Sequence, residues 1–266
     1  EMMSSFFSPI QTHFGYAGLI PPTPLQIFGS ALKGWYAAWD RQTLYTDTAR
    51  TTLVANDGDA LAGWADKSGN GNHLQQATAG NRALIKFGIQ NGYSVGRFDG
   101  VDDFINGVSN FVWSSASGVT ICVLAKYAAY ASGTNTLCGQ RANGTPSSTV
   151  ATIERTASGT GTASFYDGVS ANVTDGQAFT DTAWNSFVAS GSVTSRILYV
   201  NSTGTSTLGG VAPATGAQPF TIGARTTSAA ECAAADILDV FIVDRPIASA
   251  SEVGAIYAWH QYLRGS

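Results

Sequence analysis

Charge is scarce in this sequence. Lys, Arg, Asp and Glu make up 12% of 266 residues, about half of the ~25% usual in soluble domains. The 44% hydrophobic and 11% aromatic content nevertheless excludes a disordered chain, because it is enough to fill a core. The net charge of −4, with no basic run, excludes nucleic acid as an expected partner. Groups for proton transfer are few. The histidines are His13, His73 and His260, and the glutamates are Glu1, Glu154, Glu231 and Glu252. Cysteine stops at Cys122, Cys138 and Cys232, and an odd count excludes a fully paired intrachain framework. Two alternatives stay open. Cys122 and Cys138 bridge neighbouring strands, or the thiols stay reduced and partly buried as small hydrophobes. No CxxC or Cys/His cluster has zinc spacing. No apolar run nears the ~20 residues of a membrane helix. Lys33 is the first Lys or Arg, so residues 1–32 are not expected to read as a signal peptide.

Glycine, serine, threonine and turn dipeptides take the place of charge. Residues 64–76 carry Ser68-Gly69-Asn70-Gly71, where glycine permits positive φ and Asn bonds its neighbouring backbone. Residues 97–104 repeat the design around Asp99-Gly100. Between such turns lie strand candidates at 34–40, 83–87, 94–98, 103–105, 118–127, 136–139, 149–155 and 162–166. Others follow at 184–190, 195–200, 219–223 and 236–243. In the last, alternation sets Ile237, Asp239, Phe241 and Val243 on one face and Leu238, Val240 and Ile242 on the other. Apolar residues on both faces predict an interior strand. Ser249 and Glu252 fit a capping box, and Val253, Ile256, Tyr257 and His260 recur at helical spacing. A short C-terminal helix is therefore expected to close one end of a β-sandwich or barrel.

Residues 1–32 differ from the rest. After Glu1 no Lys, Arg, Asp or Glu appears before Lys33. Phe6, Phe7, Phe14 and Tyr16 are among many apolar residues interspersed with Pro9, Pro21, Pro22 and Pro24. The prolines favour extended chain, and an apolar segment of this length is not expected to stand alone in water. It either covers an edge of its own domain or docks, through Phe6, Phe7, Phe14 and Tyr16, on another subunit or a larger assembly. The docking arm is the preferred reading, with an oligomer implied. The chain then divides into an arm at 1–32 and a domain at 33–266.

Four segments carry a resemblance. Residues 64–71 resemble a W-x-D-x-SGNGN turn, and residues 95–103 a strand ending in FDG-x-DD. Residues 196–201 resemble R-x-LYVNG, with Ser202 where glycine is usual. Residues 220–224 and 236–246 resemble closing IG and E-V-x-x-YDR strands, with Asp239 in place of Glu. In this order they resemble the concanavalin A-like lectin/glucanase superfamily, in its laminin-G-like branch. The resemblance implies an all-β, two-sheet antiparallel jelly-roll sandwich, here with an extended N-terminal arm and a short C-terminal helix. Such domains are also common in tailed-phage virions.

The fold alone names no function. Glucanases of this superfamily carry their carboxyls on one strand as E-x-D-x-x-E, and no glutamate here lies in that pattern. The sequence therefore predicts no enzyme and no catalytic residue. It predicts a structural and interaction module of a virion or extracellular location, such as a capsid decoration, possessing a jelly roll that holds carbohydrate. The alternatives are a secreted or surface lectin, then a glycoside hydrolase. Trp113, Tyr130 and His73 are the candidate glycan contacts, since aromatics offer sugar platforms. Asp99, Asp102 and Asp103 place three oxygen donors within five residues. They either bind calcium, which wants six to eight oxygens, or hold their own turn through side-chain-to-backbone bonds.

Overall fold

The computed structural model describes residues 20–108, 118–128, 133–140, 151–155, 162–166, 173–192, 195–208, 219–226 and 231–266. Phe6, Phe7, Phe14 and Tyr16 of the expected arm, and Trp113 and Tyr130, lie outside them. The first part of the chain forms helix α1 (Pro24–Phe28), then β1 (Leu32–Ala37), β2 (Leu44–Tyr45), β3 (Gly63–Trp64), β4 (Leu74–Gln75), β5 (Leu84–Gln90), β6 (Tyr93–Asp99) and β7 (Ile105–Gly107). Next come β8 (Val119–Tyr127), β9 (Asn135–Gln140), β10 (Ala151–Arg155), β11 (Thr162–Tyr166) and β12 (Val173–Ala178). The last part holds β13 (Asn185–Gly191), β14 (Ser195–Val200), β15 (Thr203–Leu208), β16 (Phe220–Ile222), β17 (Ala234–Val243) and helix α2 (Ala250–Arg264).

The strands form two antiparallel sheets. Sheet A has eight, in the order β15-β14-β13-β8-β17-β6-β5, with β1 also on β17. Sheet B has nine, in the order β12-β11-β10-β9-β16-β7-β4-β3-β2. Their facing surfaces bury Tyr36, Trp64, Phe98, Phe165, Phe187 and Phe220 in one core. A second apolar cluster lies on the outer face of sheet A, where Val95, Cys122, Leu124 and Phe241 meet Phe28 of α1 and Ile256, Trp259 and Leu263 of α2. The jelly-roll sandwich expected from the sequence is thus the observed fold, with a helical layer added to one face.

That layer explains why β17 is apolar on both sides. Simple alternation fails along it, however. The register against β8 shifts between Ile237 and Asp239, as a bulge does. Ile237, Val240 and Ile242 face the sandwich core. Leu238, Phe241 and Val243 face the helices, and Asp239 joins them, bonded to Trp35 and Trp259.

Helix α2 covers the outer face of sheet A rather than closing an end of the sandwich. Its apolar stripe of Ile256, Trp259 and Leu263 matches the apolar outer residues of β17 and β8. Ser249 Oγ accepts from Glu252 N at 3.4 Å. Glu252 does not return the bond to Ser249; it accepts from Ala248 N at 2.8 Å and pairs with Arg245. Gly265, at φ 75°, ends the helix. Residues 24–31 are helical rather than extended. Pro24 sits at the first turn of α1, where its missing N–H costs nothing, and Thr23 and Gln26 cap each other. Phe28 and Leu32 are buried in the helical layer, so the domain's packing begins before residue 33. Cys122 lies in that layer and Cys138 in the core between the sheets, both free.

Candidate functional site

The two turns singled out in the sequence do different work. In the turn at 64–76 the Asp66 carboxylate accepts from Trp35 N at 2.9 Å, Ser68 N at 2.8 Å and Asn72 N at 3.0 Å. Asn70 Nδ2 donates to Leu32 O and Asn72 Nδ2 to Lys33 O, each at 2.7 Å. These bonds clamp the turn to the start of β1, and positive φ at Gly69 and Gly71 shapes it. His73 Nδ1 accepts from Asp66 N at 3.1 Å, so that nitrogen carries no proton. Burial and the charge of Arg50 hold the imidazole below its usual pKa. His73 acts as an acceptor within this turn.

The turn after β6 borders a cavity. Gly100 has φ 79°, and a Cβ there would meet Ala234 N at 2.8 Å, so only glycine fits. Asp99 Oδ1 accepts from Val101 N at 2.8 Å and Asp102 N at 3.3 Å, and Asp103 Oδ2 accepts from Asp99 N at 3.0 Å. Ligand oxygens of Asp99, Asp102 and Asp103 lie within 4.8 Å of one another. Burial, then the charges of Asp99 and Asp102, push the Asp103 carboxyl up to about 6. The three fit a calcium ion poorly. Asp99 Oδ1 and Asp103 Oδ2 are already engaged by backbone N–H groups, and six to eight oxygens are required.

The cavity has a volume of about 510 Å³, within the ~300–1,000 Å³ of small-ligand pockets. It lies at one end of the outer face of sheet A, beyond the helical layer. Strand alternation builds it. Val95, Arg97 and Asp99 point outward in succession on β6, as do Leu124 and Lys126 on β8. The first of each series lies under the helices, and the later ones reach the pocket. Asp236 of β17, buried between them, accepts two bonds from Arg97, at 2.7 and 2.9 Å. Lys126 Nζ is 3.5 Å from Asp236 Oδ2, which also accepts from Arg97, and 5.5 Å from the ring centroid of Trp184. Asp99 and Asp103 complete the polar wall, and Leu84 supplies an apolar one. Of the described residues predicted to bind a ligand, His73, Asp99, Asp102 and Asp103, it is Asp99 and Asp103 that line this pocket.

Sequence reasoning passed over three features. Gly92-Tyr93-Ser94-Val95-Gly96 spells Gly-x-Ser-x-Gly, the pattern of a nucleophile elbow. The elbow needs a strand-to-helix turn, whereas Ser94 lies inside β6, buried, and donates to Ala38 O at 2.6 Å. Arg97, Lys126 and Asp236 went unnoticed because three strands bring them together. Glu154 and Glu231, distant in sequence, also interact. Burial, then the charge of Glu231, push the Glu154 carboxyl up to about 7.

The fold and pocket define a two-sheet β-sandwich with a ligand-sized cavity, mostly apolar in lining with charged groups along one wall, beside its helical layer. No protein-family model matches the sequence, and no curated protein matches it. Among solved structures the chain is similar to Trypanosoma rangeli sialidase, with a TM-score of 0.56 and 13% identity over 94% of this chain and 36% of that one. It thus spans about a third of the sialidase's length. It is also similar to domain 4 of an extracellular arabinanase from Geobacillus stearothermophilus in complex with arabinotriose. There the TM-score is 0.55, with 12% identity over 85% of this chain and 98% of that one. At such identity the likeness is one of fold. The prediction that the chain is no enzyme is corrected on this point: the fold is shared with chains of a sialidase and an arabinanase, which are enzymes. The missing E-x-D-x-x-E excludes one placement of carboxyls, not catalysis.

Proposed function

We propose that this chain is a carbohydrate-binding β-sandwich module of the concanavalin A-like superfamily, and that its sugar sits in the pocket between Arg97, Asp236 and Lys126. The observation that carries the reading is the pocket's chemistry. Arg97 presents a planar guanidinium fixed by a bidentate partner, and planar donors suit vicinal sugar hydroxyls. Asp99 supplies an acceptor, and Leu84 an apolar wall for the ring's C–H face. Support comes from the arabinanase domain, which spans nearly its whole length in the comparison and is bound to an oligosaccharide. Neither of these solved relatives is a virion protein, so virion display is not part of the reading.

The test is a glycan array followed by calorimetric titration of any hit. It should include arabino-oligosaccharides and sialylated glycans. The side chain of Arg97 is 44% exposed and Lys126 still faces the buried Asp236, so Arg97→Met is titrated once circular dichroism shows it folded. It should weaken a true ligand at least ~10-fold, the worth of one charged hydrogen bond. An array with no hits, or a hit unchanged by Arg97→Met, would refute the reading.

A further inference from the structure

We propose that the outer face of sheet B holds a hard divalent cation of the calcium class, bound by Glu154, Glu231, Thr136 and Ser164. Cross-strand register sets Thr136 of β9, Glu154 of β10 and Ser164 of β11 directly opposite one another. Their immediate neighbours Leu137, Ile153, Ala163 and Phe165 pack in the inner core, so the row points to the other side; Cys138 joins the core because the register shifts between Ile153 and Glu154. Glu231 reaches it from the turn before β17, where its carbonyl accepts from Thr136 N at 2.8 Å.

The row is buried and its atoms lack partners. Thr136 and Ser164 are 0% exposed and Glu154 is 3% exposed. Yet Thr136 Oγ1, Ser164 Oγ and Glu154 Oε2 have no hydrogen-bond partner among the described residues. Glu231 Oε2 is likewise buried and unpartnered, while its Oε1 bonds Arg225. Thr152 Oγ1, two residues before Glu154 on the same face, is a further orphan. Buried polar atoms are nearly always satisfied, so several on one row need an occupant. Every unpartnered atom of this row is an oxygen, and two belong to carboxylates. Oxygen-only sets of this kind select hard cations over zinc or copper. The irregular spacing of carboxylate and hydroxyl favours calcium, which tolerates flexible geometry, over magnesium, which demands an octahedron. A cation here would also relieve the like charge that Glu231 imposes on Glu154. The turn at Asp99 and Asp103 is the internal control, because backbone N–H groups already engage one oxygen of each.

The test uses the whole chain, dialysed against a chelator and then followed by thermal unfolding and calorimetric titration with calcium or magnesium chloride. Calcium is expected to bind with a Kd of about 10⁻⁴–10⁻³ M, as in extracellular modules. It should raise Tm, and magnesium should do so less. Glu154→Gln and Glu231→Gln should abolish both heat and shift, whereas Asp102→Asn should keep them. If neither glutamine variant folds, Ser164→Ala serves instead and should weaken binding several-fold. No heat and no shift up to about 10 mM calcium, the result if ordered water fills the row, would overturn the proposal. A response lost in Asp102→Asn but kept in Glu154→Gln would overturn it too.

Discussion

The two outer faces of the sandwich bury carboxyl groups in opposite ways. On sheet A, Asp239 is 0% exposed and accepts from three indole N–H groups. Trp35 lies at 2.9 Å, Trp39 at 3.2 Å and Trp259 at 2.8 Å. Those donors come from β1, from the turn after it and from α2, so one carboxylate ties three parts of the chain. Lys67 lies over the rings of Trp35 and Trp39 and pairs with Asp40 at the surface. On sheet B, Glu154 is almost as buried, yet one of its oxygens has no partner. Burial raises both pKa values, with the charge of Glu231 adding to it at Glu154. What differs is how complete the partners are. A desolvated carboxylate costs free energy unless it is bonded. The carboxylate of the first face is therefore satisfied by its own chain, although His260 Nε2 in the same layer has no partner among the described residues, and the carboxylate of the second is left short.

The largest effect is expected where the partners are complete. Asp239→Ala would leave three indole N–H groups buried and unpaired, and should cost about 3–5 kcal/mol, as when one member of a buried pair is removed. Urea unfolding measures this, and a loss below about 1 kcal/mol would show that the indoles find other partners. The Asp66 carboxylate joins the same side of the molecule through Trp35 N. Asp66→Ala, which breaks bonds to three backbone N–H groups, should cost about 2–3 kcal/mol, the upper range for charged hydrogen bonds. A loss no larger than that of an ordinary surface substitution would mean the turn is not a clamp on β1.

How much of this was readable beforehand depended on how local the chemistry is. The turns at Asn70-Gly71 and Asp99-Gly100, and strands such as β8, β11 and β14, announce themselves through neighbours in sequence. The two-residue strands β2, β3 and β4 are too short to show a period. Val173–Ala178 and Thr203–Leu208 consist mostly of residues that also make turns. The bulge in β17 was invisible because alternation assumes an unbroken pleat. In the pocket, the Asp99–Asp103 turn was legible, since its members are adjacent. Arg97, Lys126 and Asp236 were not, because only the order β8-β17-β6 makes them neighbours. A signal existed: Arg97 and Lys126 each follow an apolar residue two positions earlier, marking where the outer face stops being covered.

A smaller effect is expected on sheet B. Glu154→Leu in chelator-containing buffer should change stability by less than about 1 kcal/mol, because removing a polar group together with its unmet bond is close to neutral. Asp239→Leu on the other face should be strongly destabilising. Equal losses in the two would remove the distinction between the faces.

A further effect is one of pH. His260, fully buried beside Ser186 at 2.6 Å, is held down to about 3 by burial and then by the charge of Arg264. The unfolded chain takes up this proton near the usual 6.5, and the native state does not until about 3. The stability it contributes is therefore present above about 6.5 and lost as pH falls toward 3. Asp239 runs the other way. Its carboxyl is pushed by burial from the usual 3.8 up to about 7, so its contribution is present below about 3.8 and lost as pH rises to about 7. Across pH 4 to 6.5 the two slopes oppose each other in the native protein. His260→Phe, placed against Phe241 whose ring centroid is 5.7 Å away, removes only the first. The Tm of this variant relative to the parent should rise as the pH is lowered from about 7 to about 4. A difference that stays constant would mean that His260 takes up its proton without unfolding. The helical layer would then admit a charge on sheet A, and that face would not be closed.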